Sequence, residues 1–188
     1  VAATEPMPEI FPGNAADDDF AFRRRADGGY SIAPGARHDF FIGPDAFRSL
    51  GVYLPVLKKD FRSTNFRPAA PKGFPDAWGT PRRWSMDAPS PFERLRVLNP
   101  APNMVTLGEG QDSFAKAFPS LGRPKLKAAW GGMIDSLPDV VPIVDHAPIP
   151  GLTIATGMSG HGFGIGPGMG RVIADLVAGR AVGHDLSR

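Results

Sequence analysis

Short apolar runs set between proline- or glycine-bounded turns dominate the pattern of this chain. Residues 1–4 read as a buried strand entering a proline-bounded turn, followed by a polar, acidic loop at 14–19. Residues 20–24 and 30–33 flank Asp27-Gly28-Gly29, whose glycines accept positive φ, and so predict an antiparallel hairpin. Phe40-Phe41-Ile42 is expected to extend the same sheet. Over 44–59, Phe47, Leu50, Val52, Leu54 and Leu57 fall mostly at helical spacing, with Pro44 suited to a first turn and Pro55 ending or kinking the helix. From 60 to 108 proline, arginine and tryptophan recur without a sustained period, which predicts an irregular, partly helical insertion. Phe114, Ala117 and Phe118 then make the stripe of a short helix over 109–121, capped by Asp112 or Ser113. Strands are expected at 125–133, 140–144 and 152–156. The last opens into a glycine-rich segment and a helix starting at Pro167, with Val172, Ile173, Leu176 and Val177 on one face and Gly179 as its stop. No internal repeat interrupts this order.

Composition narrows the function classes. A chain of 188 residues can bury its own core, in one domain or in one domain with a small appended piece. Cysteine is absent, which excludes disulfides and thiolate metal sites, and the four histidines are too dispersed for a familiar zinc spacing. Lys and Arg total 21 against 19 acidic residues, so the net charge of +2 offers no nucleic-acid surface. The clusters Arg23-Arg24-Arg25 and Arg82-Arg83 read as solvated faces. No apolar run approaches the ~20 residues of a membrane helix, and residues 1–8 do not read as a signal peptide. The compartment stays open, with the cytoplasm favoured. Val1-Ala2-Ala3-Thr4 starts as a strand without lead-in, cap or initiator methionine, from which a truncated chain is expected.

The chemistry concentrates in residues 157–170, where glycine stands at 157, 160, 162, 164, 166, 168 and 170. Each glycine in regular structure costs about 0.5–1 kcal/mol relative to alanine, a cost tolerated where something must approach the backbone closely. The following helix aims its positive end and unpaired amides at this segment, an arrangement suited to a flavin's pyrimidine edge and equally to a phosphate or carboxylate. A glycine-rich turn that simply lets a helix pack on a sheet is the plain alternative, and the residues alone leave both open. The dinucleotide fingerprint G-x-G-x-x-G is absent, because the sixth position is Ile165, Pro167, Met169, Arg171 or Ile173 for successive pairs from Gly160. Gly157-Met158-Ser159-Gly160-His161 resembles a nucleophile elbow, but His161 occupies the place of the second glycine and little downstream could complete a triad.

In order along the chain, four pieces resemble the carboxyl-terminal half of the D-amino-acid oxidase, glycine oxidase and sarcosine oxidase group of FAD enzymes. They are Val1 to Pro8 as a strand and turn, Asp27 to Ile32 as a hairpin over the flavin, Leu137-Pro138-Asp139-Val140-Val141-Pro142-Ile143-Val144 as the Thr-Pro-Asp-x-x-Pro-x-Ile/Val-Gly signature, and Ala155 to Gly162 running on to Leu176 as the last strand, flavin loop and helix. Residues 44–108 match poorly.

The resemblance implies an α+β fold: a mixed, largely antiparallel sheet of a substrate domain with flanking helices, plus the last strand and helix of an FAD-binding domain whose amino-terminal part is missing. It divides the chain into a substrate-binding domain at 1–134, with the irregular insertion at 60–108, and the carboxyl-terminal part of the FAD-binding domain at 135–188. It places the backbone of Gly160, His161, Gly162, Phe163, Gly164 and Ile165 against the isoalloxazine of FAD. Tyr30, Arg37, His38 and Ile134 become substrate-side candidates. Tyr30 has a plain reading as a strand residue burying its ring, His38 as a loop residue, His161 as a backbone-placing position, Asp139 as a turn former and Trp130 as core. Ile134 stands where amino-acid oxidases of the group carry an arginine for the substrate carboxylate, so the substrate is a different amine, or Arg37, Arg24 or the missing segment supplies the cation.

The implied activity, in the complete protein, is hydride transfer from the carbon beside a substrate nitrogen to FAD, giving an imine that water hydrolyses, with no acid or base assigned in this segment and the chain alone expected to be inactive and to bind FAD weakly or not at all. The expected partners are a small amine or amino-acid substrate and the missing amino-terminal FAD-binding segment, with no metal, nucleic acid or membrane span. Two rivals stand beside it: a cofactor-free module binding an anion or small molecule, and a serine hydrolase acting through Ser159.

Overall fold

The computed structural model describes residues 1–187, which divide into two units, Val1–Met133 and a second beginning at Ile134. In chain order the first unit carries β1 (Ala2–Thr4), β2 (Asn14–Ala16), β3 (Ala21–Arg24), β4 (Tyr30–Ala33), β5 (His38–Phe41), α1 (Pro44–Arg48), α2 (Leu50–Asp60), β6 (Thr64–Arg67), α3 (Pro91–Arg94), α4 (Met104–Ala117) and β7 (Leu126–Ala129). The second carries β8 (Ile143–His146), β9 (Thr153–Thr156) and α5 (Gly162–Val177).

A five-stranded antiparallel sheet in the order β2-β3-β4-β1-β7 organises the first unit. The expected hairpin is β3 and β4, registered Phe22 opposite Ile32, with Gly28 at φ 83 in the turn. Residues 14–16, expected as loop, instead pair with β3 as an edge strand. All three are exposed, and an edge held by backbone bonds alone leaves no apolar alternation to read. On the inner face Phe20, Phe22, Tyr30 and Ile32 meet Leu107 and Phe114 of α4, around Ala2. Phe114 is fully buried, with Phe20, Phe22, Tyr30 and Phe118 ring centroids 5.1–6.3 Å away.

Further sequence expectations change in this unit. The segment around Phe40 does not extend the main sheet, because β5 pairs in parallel with β6. Asp39 of β5 joins that pair by accepting from Asn65 Nδ2 (3.1 Å) and Arg67 Nε (3.0 Å) of β6, and from Asn103 Nδ2 (2.9 Å). Burial works against ionisation of Asp39, but these three donors outweigh it and hold the carboxyl below its ordinary value. Second, the helix expected over 44–59 breaks at Ser49, and Pro55 is accommodated inside α2 without ending it. The carbonyl that Pro55 leaves without an amide belongs to Gly51, an exposed residue that water can reach. Third, α4 begins five residues before the expected 109, capped by Asn103 Oδ1 accepting from Thr106 N–H (3.2 Å) rather than by Asp112 or Ser113. Its inward face runs through Thr106, Gly110 and Gln111, polar or small residues that hide the helical period, and Gly110 lies so close to Pro34 that a Cβ there would sit 3.4 Å from Pro34 Cα. Trp130, expected in the core, is 40% exposed, while its backbone amide donates to the Val1 carbonyl (2.9 Å).

In the second unit β8 and β9 form an antiparallel hairpin, Val144 opposite Ala155. Asp139 shapes the turn before it, its Oδ1 accepting from Val141 N–H at 3.1 Å, as an aspartate in that place commonly does. Val140 lies in the left-handed region at φ 62, which costs a β-branched residue about 1–2 kcal/mol. Val140→Gly is therefore expected to stabilise this unit by roughly 1 kcal/mol after the larger freedom of glycine in the unfolded chain is subtracted. Denaturant unfolding of the variant beside the parent checks the sign. Helix α5 starts at Gly162, five residues before the expected Pro167, and Gly179 at φ 65 stops it as predicted.

Candidate functional site

Between β9 and α5 the chain turns sharply through Gly157 (φ 76), Ser159 (φ 48) and Gly160 (φ 83). Left-handed backbone at a serine is uncommon and must be held by its surroundings. The holder is the segment 135–137. Asp135 Oδ2 accepts from Gly157 N–H (2.7 Å) and from the Thr156 hydroxyl, and the Asp135 carbonyl accepts from Ser159 N–H (2.9 Å). Ser159 Oγ returns the contact, accepting from Leu137 N–H (3.0 Å) and donating to the Gly157 carbonyl (3.0 Å). Both polar sites of that hydroxyl are engaged with backbone, and among the described residues no histidine bonds it, so the elbow-like turn has no base to make Ser159 a nucleophile.

The start of α5 points its backbone outward. His161 is the N-cap without a side-chain cap bond, and its carbonyl accepts from Gly164 N–H (3.0 Å) and Ile165 N–H (3.1 Å). Among the described residues the amides of Gly160, Gly162 and Phe163 have no acceptor, which leaves three donors beside the positive helix end. A Cβ built at Gly164, Gly166 or Gly168 meets nothing within 4 Å. The packing of this chain therefore does not require glycine at these three places, and the tight-turn explanation does not cover them. The six residues expected in one loop divide between it and the helix: Gly160 and His161 precede α5, while Gly162, Phe163, Gly164 and Ile165 are its first turn. Phe163 is fully exposed. Ile134 is 63% exposed and stands beside Gly160, where a Cβ would lie 3.8 Å from Ile134 Cγ2.

The remaining candidates belong to the first unit. Tyr30 is fully buried, its hydroxyl accepting from Ile10 N–H (2.9 Å), so it is a core residue and leaves the substrate-side set. Arg24 lies over the Tyr30 ring at 4.8 Å and donates to the Met7 carbonyl (3.0 Å), a structural commitment. Arg37 is exposed and paired with Glu109 at 2.9 Å. His38 is exposed, its Nε2 3.1 Å from Thr64 Oγ1. Among the described residues no group of His, Asp and Glu is arranged to hold a metal ion, and no helix is long and apolar enough to cross a membrane.

The hairpin turn is electrostatically set by Asp27, whose carboxyl is pulled down to about 2, first by the Arg25 side chain and then by the Gly29 amide. A depressed carboxyl contributes stability that is complete above its unfolded value near ~3.9 and is lost as pH falls through the folded one. An NMR titration is expected to give an Asp27 midpoint near 2, and Asp27→Asn to remove the acid sensitivity of the turn between about pH 4 and pH 2.

The family model described as FAD dependent oxidoreductase matches residues 1–176. The chain belongs to this family. It is 28% identical over 155 residues to a D-amino acid dehydrogenase of Xanthobacter autotrophicus, covering 77% of this chain and 36% of that protein. It is 36% identical over 63 residues to a sarcosine oxidase subunit beta of Rhodobacter capsulatus, covering 34% of this chain and 15% of that one. Among solved structures, the L-amino acid deaminase from Proteus vulgaris superimposes with a TM-score of 0.84 at 26% identity, over 98% of this chain and 43% of that one. The chain thus spans under half the length of each of these proteins. Sequence reasoning missed Asp135; the signal available was a carboxylate four residues before the Asp139 of the signature, in the segment that faces the glycine turn.

Proposed function

We propose that the complete protein is an FAD-dependent oxidoreductase that oxidises a C–N bond of an amino acid or related amine. In this reading residues 1–134 are the substrate-binding part, and residues from 135 on close the flavin-binding part. No glycine signature of the kind that grips the ADP half occurs in these 188 residues. The observation that carries the reading is the start of α5, where three amides lack acceptors and three glycines face open space. A flat, electron-accepting ring fits bare backbone with donors along one edge.

Bound FAD would supply the hydride-accepting chemistry of such a site. The chain's own contribution is to orient and to exclude. Gly160 and Gly162 would hold the flavin through their free amides, and Phe163 would shield it from water. Ile134 makes the neighbouring wall apolar and offers no guanidinium to a carboxylate. If the substrate is an amino acid, its cation comes from Arg37 or from outside this sequence; the exposed pair of Arg37 with Glu109 is worth only about 0–1 kcal/mol and gives way readily. Arg24, bound to the Met7 carbonyl, does not.

Purified complete protein is expected to show flavin absorbance that bleaches when an amine substrate is added without an electron acceptor. Colourless protein that takes up no added FAD would refute this and favour the cofactor-free anion-binding module.

A further inference from the structure

We propose that Asp135 and Ser159 are positioning residues for the flavin-facing backbone, locking the turn that aims the free amides of Gly160, Gly162 and Phe163. This rests on the flavin reading of the site and adds to it the two side chains that set its geometry.

Three of the four residues from 157 to 160 are left-handed, and one of them is a serine, so this turn is not a conformation the chain adopts unaided. Four hydrogen bonds tie residues 156–159 to the segment 135–137, every one made or accepted by Asp135 or Ser159, and a fifth, from Ser159 Oγ to the Gly157 carbonyl, closes the turn on itself. Those that end on the Asp135 carboxylate are of the charge-assisted kind, stronger than neutral ones. Leu137 closes the remaining freedom, since a Cβ at Gly157 would fall 2.6 Å from Leu137 Cγ. The lock reaches the helix directly: His161 N–H donates to the Met158 carbonyl at 2.8 Å, so the residue that caps α5 is fixed by a residue inside the turn. Rotation of the turn therefore rotates the amides that follow it. None of these bonds is needed to bury apolar surface, because Asp135 is exposed and the unit's buried side chains, Val144 and Val172, lie elsewhere.

The test compares the complete protein with Asp135→Asn, Asp135→Ala, Ser159→Ala and Ser159→Gly, measuring FAD affinity, the visible spectrum and midpoint potential of bound flavin, and thermal melting of the apoprotein. Asp135→Ala is expected to weaken FAD binding by at least about tenfold and to shift both spectrum and potential, and Asp135→Asn, which keeps an acceptor oxygen, to restore most of each. Ser159→Gly is expected to retain more affinity than Ser159→Ala, because φ 48 suits glycine while both lose the hydroxyl. If Asp135→Ala does not fold, Asp135→Asn and Ser159→Gly carry the decision through the same spectrum and potential. Variants that melt lower yet hold flavin with parental affinity, spectrum and potential would overturn the proposal and leave the two residues structural. A parent protein that binds no FAD would overturn the flavin reading itself, an outcome visible before any variant is made.

Discussion

Gly164→Leu is expected to leave the apoprotein folded and to strip the complete protein of its flavin. A Cβ at 164 meets nothing in the chain within 4 Å, so the backbone leaves room for the branch point, and leucine exceeds glycine as a helix former by about 0.8 kcal/mol. On structural grounds alone the variant gains. Against a ring lying on the first turn of α5, the same four carbons occupy the place of the cofactor, and affinity is expected to fall about 100-fold, roughly 2.8 kcal/mol. The two measurements, apoprotein melting and FAD titration, move in opposite directions if the glycine serves a ligand. They move together, or not at all, if it serves only the fold. Parental FAD affinity in a stable Gly164→Leu protein would sink the placement of the ring.

The second large effect is expected in the core. Phe114 is fully buried and stands among the rings of Phe20, Phe22, Tyr30 and Phe118. Phe114→Ala removes a side chain whose ring neighbours are Phe20 just before β3, Phe22 in β3, Tyr30 in β4 and Phe118 just after α4, and the pairing of β3 with β4 limits their collapse on the space. The cost of such a truncation is about 3–5 kcal/mol, a large share of the ~5–15 kcal/mol that a domain possesses. Urea unfolding followed by tryptophan fluorescence is expected to show the midpoint falling steeply, and a shift below about 1 kcal/mol would mean that the aromatic cluster is not the centre of this unit.

The sequence spoke most clearly where side-chain period and turn chemistry agree. Phe22 and Ile32 alternate with polar neighbours around Asp27-Gly28-Gly29, and the hairpin stands where that pattern puts it. The end of α5 was equally legible, since Gly179 has the positive φ of a helix stop. The start of α5 was not. Propensity places Pro167 in a first turn, whereas the helix begins at Gly162 through a run of glycines that no propensity argument would choose. The start of α4 was hidden in a similar way, because Gly110 and Gln111 face inward where an apolar stripe is normally sought. Of the candidate site, the glycine segment was visible as composition and Ile134 as a departure from the family pattern. For Tyr30 the plain reading as a buried strand residue is the one the structure has, although a strand tyrosine reads alike whether its hydroxyl meets a substrate or the amide of Ile10. Asp135 escaped notice because its partners lie 21 and 22 residues away, and no local pattern marks a carboxylate that bonds another segment's backbone.

Asp39 has a kinetic corollary. Its three donors arrive from sequence separations of 26, 28 and 64 residues, so the anion finds its full set of partners only after β5, β6 and the cap of α4 have each come to rest. Loops of that size close late, and parallel pairing gives little return before closure. The antiparallel hairpin can therefore zip early from its own turn, whereas the parallel pair has to wait for the amino end of α4, making this corner of the molecule the last to register during folding.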